Sequence, residues 1–343
     1  MAGETGRFFR QQVVWTTLAA MAAGIVAIPN YRSLYRWSYP LLGGAILCLV
    51  AVYFFPPVNG ARRWIRLGAI GFQPSEFAKL AFILGIARYL MKDTIHRCWT
   101  NLAAALAVTL VPVVLILREP DLGTSLLFLP VLFGMLFAAG ARWRDLGILT
   151  LFGLVAAVLL WTQMSREQQS RVTSLFSQAG PNDRLSSDTY QLHQGKQVAA
   201  LGGVWGSLAG GGKLDELEGF HLPEAQGDFV FSVVVERIGL AGAFLLLSIY
   251  AILVWQGLAT ALAVREPFGR LIAIGISLLI AVQTLVNAGM AVGLLPVTGV
   301  SLPLVSYGGS GLVTYGLAIG LLINVAIRPG YELAVEPFRH ATG

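Results

Sequence analysis

The chain has 343 residues, 56% hydrophobic and 12% charged, about half the ~25% charged content of soluble domains. That composition excludes a soluble core, and because the apolar residues run unbroken instead of alternating, it excludes a β-barrel as well. The net charge of +6 is scattered as single Lys and Arg residues between the runs, the pattern of a membrane surface and not of a nucleic-acid partner.

A helix needs ~20 residues to cross ~30 Å of hydrocarbon. In chain order, runs near that length occur at 11–30, 37–55, 73–91, 101–117, 122–139, 146–163, 229–255, 271–295 and 312–327. The predicted fold is therefore all-α, a polytopic membrane protein of about nine transmembrane helices. Arg7, Arg10 and Ala20-Met21-Ala22 around the first run would also suit a cleavable signal peptide, but eight further spans favour a retained helix. Cys48 falls within a span and Cys98 beside one, so no structural disulfide and no metal site is expected.

The runs divide the chain into a six-span region at 1–163, one large loop at 164–228, and a three-span region with a short tail at 229–343. The loop is acidic, with five basic against eight acidic residues, and rich in glycine. Loops beyond ~15 residues are usually functional or disordered. Leu201, Trp205, Phe220 and Leu222 argue for partial order here, with short helices lying on the membrane.

Lys and Arg in the short loops fall into two sets. Arg32, Arg36, Lys92, Arg97, Arg142, Arg144, Arg265, Arg270, Arg328 and Arg339 make ten on one side; Arg7, Arg10, Arg62, Arg63, Arg66 and Arg118 make six on the other. The richer side is expected in the cytoplasm, which puts the large loop and the N-terminus outside. Arg62, Arg63 and Arg66 then crowd one short external loop against the rule, and an anionic ligand would account for them.

Five stretches carry candidate chemistry. In Asn59-Gly60-Ala61-Arg62-Arg63-Trp64, a turn presents guanidinium groups suited to phosphate; a headgroup anchor is the plain alternative. In Gln73-Pro74-Ser75-Glu76-Phe77-Ala78-Lys79, Pro74 opens a helix and Glu76 and Lys79 share one face. Charges entering a span face a polar cavity or each other, so substrate contact and a structural pair stand level. Asp121, in Glu119-Pro120-Asp121-Leu122-Gly123-Thr124, reads as a helix cap. Asp228 sits where the large loop re-enters the bilayer, and partial desolvation there raises a carboxyl toward the range of a general base; an N-cap is the even alternative. Glu236 lies inside the following span and needs a partner, with Arg237 on another side of the helix. The Gly/Ser/Pro stretch 299–311 is either a re-entrant segment lining a cavity or an ordinary connection. His193 and His221 are isolated.

Taken together and in this order, Asn-Gly-x-x-Arg-Trp, Gln-Pro-Ser-Glu-Phe-Ala-Lys, Pro-Asp-Leu-Gly-Thr, Pro-Glu-x-x-x-Asp-Phe and the Ser-Tyr-Gly-Gly-Ser loop resemble the SEDS family of bacterial cell-wall polymerases, the RodA and FtsW type. The resemblance runs from about Phe8 to Arg328 and begins at the family's second span. The family's first span is therefore expected to be missing, which accounts for nine spans where the family has ten. The resemblance implies a peptidoglycan glycosyltransferase that polymerises lipid II outside the cytoplasmic membrane of a bacterium, with a class B penicillin-binding protein as partner beside the membrane lipids. It also implies roles by motif: Asp228 as the essential acid, Glu76 and Lys79 as the cavity pair, Arg62, Arg63 and Trp64 near the substrate headgroup, and Gln194 as a loop glutamine. This chain departs from the family pattern at Gly227, Gly195 and Gly311, where Thr, Ser and Ser are usual.

The implied reaction forms a β-1,4 link with inversion, displacing a polyprenyl diphosphate in one step. It needs a base, for which Asp228 is the candidate, and positive charge for the leaving group, for which Arg62, Arg63 and Lys79 are candidates. A divalent cation (Mg2+ or Mn2+) would suit the same task, though no cluster has dedicated ligand spacing. A non-catalytic scaffold and a lipid II flippase are the rival functions.

Overall fold

The computed structural model describes residues 2–57, 61–67, 70–92, 99–161, 166–173, 187–210 and 227–330. Nine long helices stand among them: α1 (Ala2–Ala27), α2 (Arg32–Ala51), α3 (Pro74–Leu90), α4 (Trp99–Arg118), α5 (Leu122–Ala138), α6 (Trp143–Trp161), α10 (Val230–Ala263), α11 (Pro267–Ala291) and α12 (Gly309–Ala326). Each answers one of the nine predicted spans. By length and composition alone, α2, α4, α10, α11 and α12 qualify to cross a membrane, and α5 falls just short at 17 residues. The all-α polytopic membrane fold holds. Asn59 and Gly60, the predicted turn, lie outside the described residues, as do Cys98, His221 and the Pro223-Glu224 end of the large loop.

Helix starts follow local chemistry. Asp121 caps α5, its Oδ1 accepting from the Thr124 amide at 3.1 Å. Glu266 caps α11, accepting from the Gly269 amide at 2.6 Å, with Pro267 in the first turn. Pro74 opens α3, where a missing N–H has no cost.

Burial sorts the helices. In α3, 14 of 17 residues are buried, and it packs against α2, α11, α12, α5 and α4. α11 is its main companion at the centre, touching α10, α5, α3 and α12. α2, α4 and α10 turn large apolar side chains such as Leu47, Val111, Phe244 and Trp255 outward, as lipid-facing helices do. Two bonds fix α1 parallel to α12: Tyr307, before α12, donates to Gln11 Oε1 at 2.6 Å, and Asn324, at its far end, donates to the Val26 carbonyl at 2.6 Å.

Three features were not expected from the sequence. β1 (Ile65–Leu67) and β2 (Ile70–Phe72) pair as the antiparallel strands of a small hairpin, Ile65 opposite Phe72. α10 runs eight residues beyond the predicted end of its span, to 34 residues, and is broken at Gly239, which has φ +76°. Arg237, expected to face away from Glu236, brings Nε within 3.1 Å of Glu236 Oε2. The ~100° between successive helix positions is bridged by the long arginine stem.

The large loop contributes α7 (Arg166–Thr173), α8 (Ser187–Leu201) and α9 (Ser207–Gly210). α8 rests on α10 and α11, and Leu192 joins Phe229, Met290 and Val297 in a buried cluster. The turn after α8 is stitched to the break in α10. Leu240 and Ala241 amides, freed by the break, donate to the Gly203 and Val204 carbonyls at 3.0 and 3.3 Å. Glycine is required on the helix side: a Cβ on Gly239 would lie 2.3 Å from the Val204 oxygen.

Candidate functional site

At the end of the bundle where α3, α5, α10 and α12 begin, the loops enclose a cavity of about 520 Å3. Arg63, Trp64, Glu76, Lys79 and Asp228 all line it. Five of the seven predicted site residues thus converge from three separate stretches of chain. The other two lie elsewhere. Arg62 is exposed, its Nη1 donating to the Tyr53 carbonyl at 2.7 Å, and it is not among the lining residues. Gln194 lies on α8 with its Oε1 buried and unpartnered, also outside the lining.

Part of the lining is a buried polar network that joins α3 to α11 and α12. Lys79 Nζ lies 2.9 Å from Glu76 Oε1 and donates to Gln283 Oε1, also at 2.9 Å. The Tyr315 hydroxyl donates to the same Gln283 oxygen, and the Lys79 ammonium sits 5.4 Å from the centre of the Tyr315 ring. Glu76 Oε2 is buried without a partner. A buried ammonium needs this many acceptors, because desolvation is otherwise prohibitive.

One wall is built by Arg63. Its Nε donates to the Glu119 carbonyl at 2.9 Å and its Nη2 to the Pro120 carbonyl, so the fork is anchored by backbone oxygens that carry no net charge. The Glu119 carboxyl is buried with both oxygens unpartnered. Burial, assisted by the nearby Asp121 charge and opposed by Arg63, pushes it up to about 8. Near neutral pH Glu119 is therefore largely protonated, and the positive charge of Arg63 is not cancelled by it. Asp121, read from sequence as a cap, does cap α5 and lines the cavity too. Trp64 lies over the hairpin: a Cβ on Gly71 would come within 3.3 Å of its ring.

Much of the remaining lining is the 299–311 stretch. Gly299, Ser301, Tyr307 and Gly311 are among its lining residues, which makes it a cavity-lining segment and not a plain connection. Gly123 lets α5 approach it: a Cβ there would lie 2.3 Å from the Thr298 oxygen.

Asp228 stands in the turn before α10, one residue ahead of the N-cap, Phe229. Its backbone carbonyl accepts from Asn287 Nδ2 at 2.7 Å, and the neighbouring Gly227 carbonyl accepts from Ser306 Oγ at 2.6 Å. Gln283, Asn287 and Tyr315 were not singled out from the sequence. The signal available was amide side chains inside an apolar span, since intramembrane polar groups are seldom idle.

Among the described residues no group of three or more His, Cys, Asp or Glu side chains comes together as a metal site.

The sequence and the helical frame have clear counterparts. Residues 1–329 match the family described as cell cycle protein, FtsW/RodA/SpoVE. The peptidoglycan glycosyltransferase MrdB of Escherichia coli K12 is 37% identical over 291 residues, covering 84% of this chain and 77% of that protein. A chain of a solved peptidoglycan synthase complex that coordinates polymerization and crosslinking superposes with a TM-score of 0.80 at 32% identity, covering 93% of this chain and 89% of that one. The rod shape determining protein RodA of Thermus thermophilus superposes at 0.69 with 32% identity, over 94% and 88%. This chain belongs to the FtsW/RodA/SpoVE family of cell cycle proteins.

Proposed function

We propose that this chain is a peptidoglycan glycosyltransferase that polymerises lipid II into β-1,4-linked glycan strands at the outer face of a bacterial cytoplasmic membrane. The observation that carries the reading is one cavity holding a carboxylate, Asp228, together with two cations, Arg63 and Lys79. That is the charge arrangement an inverting displacement of a diphosphate needs. The identity of MrdB as a peptidoglycan glycosyltransferase supports it.

In this reading Asp228 takes the proton from the attacking sugar hydroxyl as the new C–O bond forms. The bond from the anomeric carbon to the polyprenyl diphosphate breaks, and its electrons leave with the diphosphate. Positioned proton transfer contributes typically ~10²–10⁴-fold. Arg63 faces the developing negative charge with its fork braced by the Glu119 and Pro120 carbonyls, and fixed charge in a water-poor site costs no reorganisation. Lys79, already shared between Glu76 and Gln283, supplies a second, deeper charge. Arg62 is assigned to the membrane surface and not to the leaving group, because it is exposed and outside the cavity lining. A class B penicillin-binding protein is the proposed partner, supported by the solved synthase complex that coordinates polymerization with crosslinking.

The test is purified Asp228→Asn with lipid II, strands resolved on a gel. Normal insertion with polymerisation lowered by ~10²-fold or more is expected. Polymerisation within a few-fold of the parent would remove Asp228 as the base. Precursor that crosses a vesicle without lengthening would favour a flippase instead.

A further inference from the structure

Two amides one turn apart on α11 hold both reactive sides of the cavity to the same strip of backbone. Gln283 accepts from Lys79 Nζ and donates through Nε2 to the Ser301 carbonyl at 2.8 Å. Asn287 donates through Nδ2 to the Asp228 carbonyl and to the Val300 carbonyl, both at 2.7 Å. Val300 and Ser301 are consecutive, so Lys79 and Asp228 are tied to neighbouring peptide units of one segment. Ser306 adds a second tether, donating to the Gly227 carbonyl while accepting from the Leu302 amide at 2.7 Å.

A buried polar side chain in a span has a simpler way to be satisfied. Ser277, on the same helix, donates to its own Ala273 carbonyl at 2.7 Å. Asn287, with no exposed surface, instead bridges two segments lying 59 residues before it and 13 after it. Its own Oδ1 is left buried and unpartnered. Such an arrangement is costly unless the bridged segments must be held.

We propose that Asn287, seconded by Gln283, is a positioning residue that fixes Asp228 relative to Lys79 through the Val300–Ser301 backbone. The inference rests on reading Asp228 as the base. Misplacement of a catalytic group by ~1 Å costs up to ~10²-fold in rate, whereas substrate binding does not depend on it.

The test is a double-mutant cycle on the full chain reconstituted in vesicles, with initial rates measured against lipid II concentration. The variants are Asn287→Leu, Asn287→Ser, Asp228→Asn and each Asn287 change combined with Asp228→Asn. Asn287→Leu is expected to lower kcat by about 10- to 100-fold with KM held within about twofold. Asn287→Ser keeps one donor and is expected to lose less. In the Asp228→Asn background neither Asn287 change is expected to lower the residual rate further, because the group being positioned is already gone. Should Asn287→Leu fail to insert, the Asn287→Ser cycle decides by the same criteria. Wild-type kcat in an inserted Asn287 variant, or losses that multiply in the double variant, would overturn the positioning role while leaving Asp228 as the base. An active Asp228→Asn would instead overturn the base assignment, and the positioning role with it.

Discussion

Lys79 Nζ and Glu76 Oε1 are 2.9 Å apart one helical turn into α3, with side-chain exposures of only 2% and 7%. Breaking a buried pair by removing one partner typically costs about 3–5 kcal/mol, because the remaining charge is stranded. Lys79→Met is therefore expected to lower the melting temperature of the detergent-solubilised protein markedly. Lys79→Met combined with Glu76→Gln is expected to recover most of that loss while leaving polymerisation abolished. Equal melting of the single and double variants would show that the pair is not energetically coupled.

Two neighbouring arginines of the 61–67 segment, Arg62 and Arg63, separate sharply. Arg63 is anchored bidentately on the Glu119 and Pro120 carbonyls and lines the cavity; Arg62 is exposed and bonded to Tyr53. A lysine keeps charge but not the planar fork. Arg63→Lys is expected to lose roughly tenfold or more in kcat/KM, at the scale of charge-assisted bonds, and Arg62→Lys to remain near wild type. Equal losses in both would return Arg62 to the site.

Glu119 makes a pH prediction. Its folded-state pKa is raised from 4.5 to about 8, so the native state holds a proton that the unfolded chain releases. The stability this contributes is complete below the unfolded value, is eroded as pH rises between the two values, and is gone above about 8. Melting temperature measured over roughly pH 4 to 9 should fall more steeply for the wild type than for Glu119→Gln. Parallel curves would mean that Glu119 is ionised throughout.

Gly239 is the seam between α10 and the large loop. Its φ of +76° and the 2.3 Å approach of a notional Cβ to the Val204 oxygen leave no room for a side chain. Gly239→Ala is expected to destabilise by about 1–3 kcal/mol and to release the 202–206 turn. Faster protease cleavage within 201–208 would report that release, and an unchanged cleavage rate would contradict it.

The helices were legible because each span is a continuous apolar run, and burial in lipid or protein rewards the same residues. What escaped notice was short or locally unremarkable. The β1–β2 pair has three-residue strands, too brief for a period-two pattern to register. The break at Gly239 is one glycine within 34 helical residues, and hydropathy does not respond to it. Arg63, Glu76, Lys79 and Asp228 could be singled out because charge stands out in an apolar chain. Gln283 and Asn287 stand out less, since an amide carries no charge and its importance depends on which distant carbonyl it meets. Arg62 and Arg63 look alike in sequence, and only their partners tell them apart, Tyr53 for one and the Glu119 and Pro120 carbonyls for the other.

The Lys79–Gln283 bond spans 204 residues of chain, and that separation has a meaning during synthesis. At ~5–20 residues per second, roughly 10 to 40 s pass between the emergence of Lys79 and that of Gln283. Tyr315 follows later still. Throughout that interval α3 is a nascent span carrying an ammonium group, and its later acceptors do not yet exist. Glu76, three residues upstream on the same face, has already been made and travels with it. The pair is thus a travelling neutraliser for a helix that must enter the bilayer before its neighbours arrive. Only when α11 and α12 dock does the same lysine acquire the second acceptor and the aromatic ring that fix it in the finished cavity.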